Sequence, residues 1–212
     1  MNKISYCITC CNEIMEIQKL IPHIQHFKRR NDEILVLFDE KNGSDEVREY
    51  LETIENITLI RADFNNNFAD FKNKFFNYCE KDSFIFQIDA DELLTSVLIE
   101  YLPEIIDSNP DVELFWVPRI NTLIDAPEEK IKQYVESQGW IMDENGWINK
   151  WDYQGRLYKN DYPRIKWEGH VHEKIVGVKT QSMLPAEEYM SLKHEKTLLK
   201  QKIQNELYNK IH

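Results

Sequence analysis

The sequence has no glycine-rich phosphate loop. Only six glycines occur in 212 residues, and none falls into the G-x-G-x-x-G or G-x-x-x-x-G-K spacing that cradles phosphates with backbone amides. A nucleotide bound here must be gripped in another way. No apolar run approaches the roughly 20 residues that cross a bilayer, so no transmembrane segment is expected. Cysteine is sparse too: the four at 7, 10, 11 and 79 have no framework spacing and read as reduced thiols. Cys7 and Cys10 form a C-x-x-C, but residues three apart on a strand face opposite sides and no second pair exists. That argues against a zinc or redox pair. Basic residues are outnumbered, 26 against 37 acidic, for a formal charge of −11. Such a balance disfavours a broad surface that tracks nucleic-acid phosphates, so duplex DNA is the least favoured partner. It still admits an anionic ligand, because a bound cation inverts the local field. The start, Met1-Asn-Lys-Ile-Ser-Tyr, enters a strand-like pattern with no signal-peptide core, and a cytoplasmic location is expected.

What is present is globular: 42% hydrophobic and 12% aromatic residues, enough for one large domain. The first half alternates strand and helix. Ile4 to Cys10 is strand-like, and Ile14, Ile17, Leu20, Ile21 and Ile24 mark a helical stripe over 14–28. Glu33 to Asp39 is a continuous apolar run ending in an acid, as expected of a strand covered on both faces. Ser44 caps a helix over 45–54, residues 57–60 form a strand, and Phe68, Phe71, Phe75 and Tyr78 mark a helix over 68–79. Lys72 lies off that aromatic face. This alternation predicts a mostly parallel, doubly wound sheet.

The centre is Ser83-Phe-Ile-Phe-Gln-Ile-Asp89-Ala-Asp91-Glu92. A buried strand that ends in acids delivers them to the carboxyl edge of the sheet, where ligands bind in open α/β folds. Asp89 and Asp91 stand two apart, so in extended geometry they point the same way. Paired carboxylates suit a hard divalent cation, and such a cation can hold a diphosphate. Asp39 ends its strand at the same predicted edge.

A helix over 94–106 and a strand over 112–118 follow. Residues 121–150 lose periodicity and read as a long loop, with Pro127-Glu-Glu-Lys as a short helix start. Trp140, Trp147 and Trp151 punctuate it, either as a sugar-stacking lid or as pins to the core. Tyr153 to Asn160 is strand-like. In Trp167-Glu-Gly-His170-Val-His172-Glu173 the alternation places both histidines on one face of a strand, as a metal pair or as a ligand with a hydrogen-bonding neighbour. Residues 185–211 read as a polar helical tail with His194 near its start, and that tail is a candidate dimer contact.

These pieces, in this order, resemble the family 2 glycosyltransferases of GT-A fold. The resemblance rests on Thr9-Cys-Cys-Asn12-Glu13, Asp39, Phe68-Ala-Asp-Phe-Lys72-Asn73 and Ile88-Asp89-Ala-Asp91-Glu92. It continues in Arg156-Leu-Tyr-Lys-Asn160, His172-Glu173, and His194-Glu-Lys-Thr with Gln201 and Tyr208. It implies a Rossmann-like, mostly parallel central sheet flanked by helices, an acceptor-side loop region and a C-terminal helix. Residues 1–120 would bind the nucleotide sugar and 121–212 would serve the acceptor, in one continuous domain. Thr9, Asn12, Glu13, Asp39, Lys72, Asp89 and Arg156 would contact the substrate. Asp89, Asp91 and His194 would hold Mn2+ or Mg2+. His172 and Glu173 would sit at the reacting sugar and acceptor, with Glu173 as the leading base and Asp152 as a second option. The family's proline before the threonine position and its Glu-Asp base pair are not evident here.

The function so implied is metal-dependent transfer of a sugar from a nucleotide-diphosphate sugar to a carbohydrate or other hydroxyl-bearing acceptor, with inversion by analogy. The alternative is a sugar-nucleotide-binding module without catalysis. A nucleotidyltransferase would want a basic, glycine-containing loop after the first strand, and Thr9 to Glu13 offers none.

Overall fold

The structure, a computed structural model, describes residues 2–211, with side chains to residue 206. The Tyr208 side chain, part of the resemblance above, lies outside the described residues. The chain opens with β1 (Ile4–Cys10), α1 (Ile14–Phe27), β2 (Glu33–Asp39), α2 (Asp45–Thr53) and β3 (Thr58–Ala62). It continues with α3 (Phe68–Lys72), β4 (Phe84–Asp89), β5 (Glu92–Leu94), α4 (Ser96–Ser108), β6 (Leu114–Ile124) and α5 (Glu128–Ser137). Then come β7 (Ile148–Lys159), β8 (Lys166–Glu168), β9 (Lys174–Val176), β10 (Gln181–Met183), β11 (Leu192–Thr197) and α6 (Leu198–Ile211).

The main sheet runs β3-β2-β1-β4-β7-β6-β11-β5, with β10 beside β6. β1 pairs in parallel with β2 and β4, and β2 with β3. β7 is antiparallel to β4 and β6. A separate hairpin joins β8 to β9. β1, β2 and β4 are largely apolar because both faces are covered. Ile4, Tyr6, Ile8, Ile34, Val36, Phe38, Phe84, Phe86 and Ile88 pack under α1, α2 and α4. The alternating residues Cys7, Leu35, Leu37 and Ile85 pack on the other side with Phe71, Phe75 and Trp167. The parallel crossovers align β1, β2 and β4, so Thr9 stands beside Asp89 and their carboxyl ends form one edge.

Four expectations differ from the structure. The helix over 68–79 is α3 followed by a 3-10 turn, Asn73–Asn77. Asn73 spends its amide on the Trp167 backbone, accepting its N–H at 2.8 Å and donating to its carbonyl at 3.0 Å. A side chain committed to a neighbouring strand holds the turn where regular winding would turn it away. Residues 121–150 are not one loop: β6 runs to Ile124, α5 packs Ile131 and Val135 against Leu123 and Ile148, and β7 starts at Ile148. His170 and His172 share no strand face. They lie in the turn between β8 and β9, where Gly169 (φ 113°) and His172 (φ 56°) take left-handed backbone. The polar tail is not one helix: a 3-10 turn, Glu188–Met190, and then β11 precede α6, with Leu192, His194 and Lys196 facing in and Lys193 and Glu195 facing out.

Gly43 closes the turn after β2. Its N–H donates to the Asp39 carbonyl at 2.8 Å, and an added Cβ would lie 2.2 Å from the Phe38 ring and 2.5 Å from the Asp39 oxygen. Gly43→Ala is expected to cost about 1–3 kcal/mol, as for overpacked core positions. Chemical denaturation measures this; a change below about 0.5 kcal/mol would show that the turn opens freely.

Candidate active site

Strand ends gather the acids. Asp39, at the end of β2, is 4% exposed and serves its own turn. Its Oδ1 accepts from the backbone N–H of Lys41, Asn42 and Phe64 at 3.2, 3.3 and 3.1 Å, and its Oδ2 from the Asn42 amide at 2.7 Å. This carboxylate therefore shapes the loop beside the β1 end. Glu13, at the start of α1, accepts the Cys11 and Asn12 N–H groups at 2.7 and 2.9 Å. Burial raises its pKa against those hydrogen bonds, and the Asp91 charge adds to the rise.

Asp89 is the hub of one cluster. Its Oδ1 accepts the Thr9 hydroxyl at 3.0 Å and lies 3.1 Å from the Lys72 ammonium; its Oδ2 accepts from Arg156 at 2.6 Å. Burial pushes this carboxyl up, but Arg156 and Lys72 outweigh it and hold the pKa well below the usual range. Arg156, 3% exposed, also donates to the fully buried Glu92 at 2.5 Å, which accepts from Arg119 at 2.9 Å. Arg156 thus props two carboxylates from below the cleft. Lys72, 4% exposed, reaches on to Glu173 Oε1 at 2.7 Å. The sequence predicts neither that Lys72 is buried nor that it joins Asp89 to Glu173. The turn carrying Glu173 is further pinned by the Phe68 N–H, which donates to the His170 carbonyl at 3.0 Å.

Asp91 faces a different set. It follows β4 in the turn to β5, so the two aspartates share no partner. Asp91 Oδ2 lies 3.4 Å from His194 Nε2 and 3.0 Å from Lys196 Nζ. Burial raises its pKa, but His194 and Lys196 draw it below the normal carboxylate range. His194 is oriented from behind. Asn121 donates its amide to Asp152 Oδ2 at 3.0 Å, which turns its oxygen to His194 Nδ1 at 2.6 Å. With Nδ1–H donating there, Nε2 is the nitrogen that faces Asp91, and once free of its proton it is the atom through which imidazole binds metals. Asp152 also accepts from Arg119 and from Gln154, the latter at 2.6 Å. Those partners engage both its oxygens.

Among the described residues no three His, Cys, Asp or Glu side chains form a metal-binding group. Asp91 and His194 do offer one carboxylate and one imidazole nitrogen side by side. Mg2+ and Mn2+ commonly take one or two protein ligands and complete their shell with substrate phosphates and water. The pair fits that mode. Asp89, saturated by Thr9, Lys72 and Arg156, is better placed to orient the site than to ligate.

The profile of the family described as "Glycosyl transferase family 2" matches residues 5–160. The chain belongs to glycosyl transferase family 2. Solved structures of S. aureus TarS share its fold. TarS 1–349 in complex with UDP-GlcNAc aligns with a TM-score of 0.57 at 12% identity, covering 92% of this chain and 58% of that one. TarS 1–349 in complex with UDP gives 0.58 at 12%, over 91% and 60%. Full TarS gives 0.56 at 12%, over 92% and 37%. The chain thus spans less than two thirds of the length of each. No curated protein matches it. As a family 2 member with a GT-A-like sheet, it carries Thr9, Glu13, Asp39, Asp89 and Asp91 on the β1, β2 and β4 ends and in the loops that leave them. Lys72, Glu173 and His194 come from α3, the β8–β9 turn and β11, respectively. Arg119, Asn121 and Lys196 are the residues of this cluster that sequence reasoning missed. A basic or amide side chain inside the largely apolar β6 is the signal that marks Arg119 and Asn121; Lys196, in the polar β11, has none.

Proposed function

We propose that the chain transfers a sugar from a nucleotide-diphosphate sugar to a hydroxyl-bearing acceptor, with Mn2+ or Mg2+ and with inversion. The observation that carries this reading is the facing of Asp91 and His194 Nε2 at the carboxyl edge of a family 2 sheet. Thr9, Asn12, Glu13 and Asp39 line the base and ribose end. Asp89, fixed by Arg156 and Lys72, orders the sugar diphosphate. Asp91 and His194 hold the cation, which when bound neutralises charge on the departing diphosphate. His172 stands beside Glu173 at the acceptor. Glu173 takes the acceptor proton on Oε2, the oxygen not engaged by Lys72, as the acceptor oxygen bonds the anomeric carbon and the bond to the diphosphate oxygen breaks.

In this reading residues 1–120 form the donor half and 121–212 the acceptor half, with the segment around Trp147 and Trp151 framing a carbohydrate acceptor. Among the described residues no helix is long and apolar enough to cross a membrane. A cytoplasmic site of action and a dimer through α6 belong to the same proposal. The TarS structures hold UDP and UDP-GlcNAc, so UDP-sugars are the first donors to test. A thermal-shift screen with and without Mn2+ tests the proposal: a ligand at 100 times its Kd adds about 2.7 kcal/mol of stability. We expect at least one nucleotide sugar to raise Tm only with the metal. No shift from any of them under either condition would overturn the reading. Donor hydrolysis with Mn2+ then separates an enzyme from a binding module.

A further inference from the structure

Lys196 takes no part in the roles above, yet its ammonium sits at their centre. It lies on β11 two residues beyond His194, with its side chain 8% exposed. Nζ lies 3.0 Å from Asp91 Oδ2 as an ion pair and donates to the Gln204 side-chain oxygen, on α6, at 2.6 Å. The same Oδ2 faces His194 Nε2 at 3.4 Å. A full positive charge therefore rests on the one carboxylate oxygen that a cation between Asp91 and His194 would use. Ammonium and divalent cation cannot share that oxygen without strong like-charge repulsion, which burial intensifies. Lysine has a flexible four-carbon stem, and its second partner lies on a different element, so the ammonium can leave Asp91 without losing all its hydrogen bonds.

We propose that Lys196 is a resident counter-ion of Asp91 that gives way when the cation binds, its ammonium withdrawing toward Gln204. The inference rests on the reading of Asp91 and His194 as cation ligands. In the empty protein Lys196 offsets the charge of a partly buried carboxylate. It also sets a threshold, so that the cation binds well only when the donor's diphosphate contributes further negative charge.

The test is Mn2+ binding followed by the electron paramagnetic resonance signal of the free ion, without and with UDP. The proteins are the wild type, Lys196→Met, Lys196→Gln and His194→Ala. Without UDP, both Lys196 variants should bind Mn2+ at least tenfold more tightly than the wild type, and UDP should then improve their affinity less. Two substitutions of different polarity guard against one that fails to fold. If the wild type binds Mn2+ with UDP, His194→Ala does not, and both Lys196 variants bind as the wild type does or more weakly, the counter-ion role is overturned while the cation site stands. If no protein binds Mn2+ even with UDP, the cation site falls and the inference with it.

Discussion

Asp91→Asn should lower metal-supported turnover of the correct nucleotide sugar by about 100-fold or more, the loss typical when a group that stabilises developing charge is removed. Asparagine keeps the volume and one oxygen but removes the negative charge that faces His194 and Lys196. Asp89→Asn is a useful contrast, because Asp89 is spent on Thr9, Lys72 and Arg156. It should alter donor affinity and stability more than metal dependence. Initial rates of donor hydrolysis across a Mn2+ series measure both, with circular dichroism as the control for folding. Turnover of Asp91→Asn within threefold of the wild type, with the same Mn2+ dependence, would remove Asp91 from the chemistry.

The largest expected loss of stability is at Arg156. Its guanidinium holds Asp89 at 2.6 Å and Glu92 at 2.5 Å, and the Glu92 side chain is 0% exposed. Arg156→Met fills the space with an apolar chain but leaves one buried carboxylate with Arg119 alone and the other with Lys72. Breaking a buried ion pair from one side costs about 3–5 kcal/mol. In a protein of this size that corresponds to a fall in Tm of about 6–20 °C. The double variant Glu92→Gln/Arg156→Met should recover part of it, because it removes the orphaned charge as well as its partner. A loss below about 1 kcal/mol in Arg156→Met would show that Arg119 and Lys72 suffice, and that Arg156 is not the prop of the acidic edge.

The sheet was legible where packing writes itself into hydrophobicity. Phe84 to Ile88, Glu33 to Asp39 and Ile4 to Cys10 are covered on both faces, and their apolar runs say so. The acids at their ends were legible because a charged residue after such a run has only the sheet edge to occupy. β11 was hidden for the opposite reason. Its inward positions are Leu192, His194 and Lys196, and two of the three are polar because they serve the site rather than the core. A pattern search for apolar alternation reads that stretch as a solvated helix. The β8–β9 turn was misread because His170-Val-His172 mimics alternation, while Gly169 and the positive φ of His172 make it a tight connection. Lys72 shows the limit at the level of one side chain. Its position off the aromatic face does not say what it meets; the Asp89 and Glu173 carboxylates lie there and draw it into the interior. Partners from distant parts of the chain decide such cases, and local periodicity carries no information about them.

The central claim is that Asp91 and His194 together hold a cation on which the donor's diphosphate rests. Calorimetric titration of UDP into the wild type, first with Mn2+ and then with the ion chelated, tests it most directly. The account predicts binding at least tenfold tighter with Mn2+, an advantage that His194→Ala loses. Equal affinity for UDP in the presence and absence of the ion would contradict it.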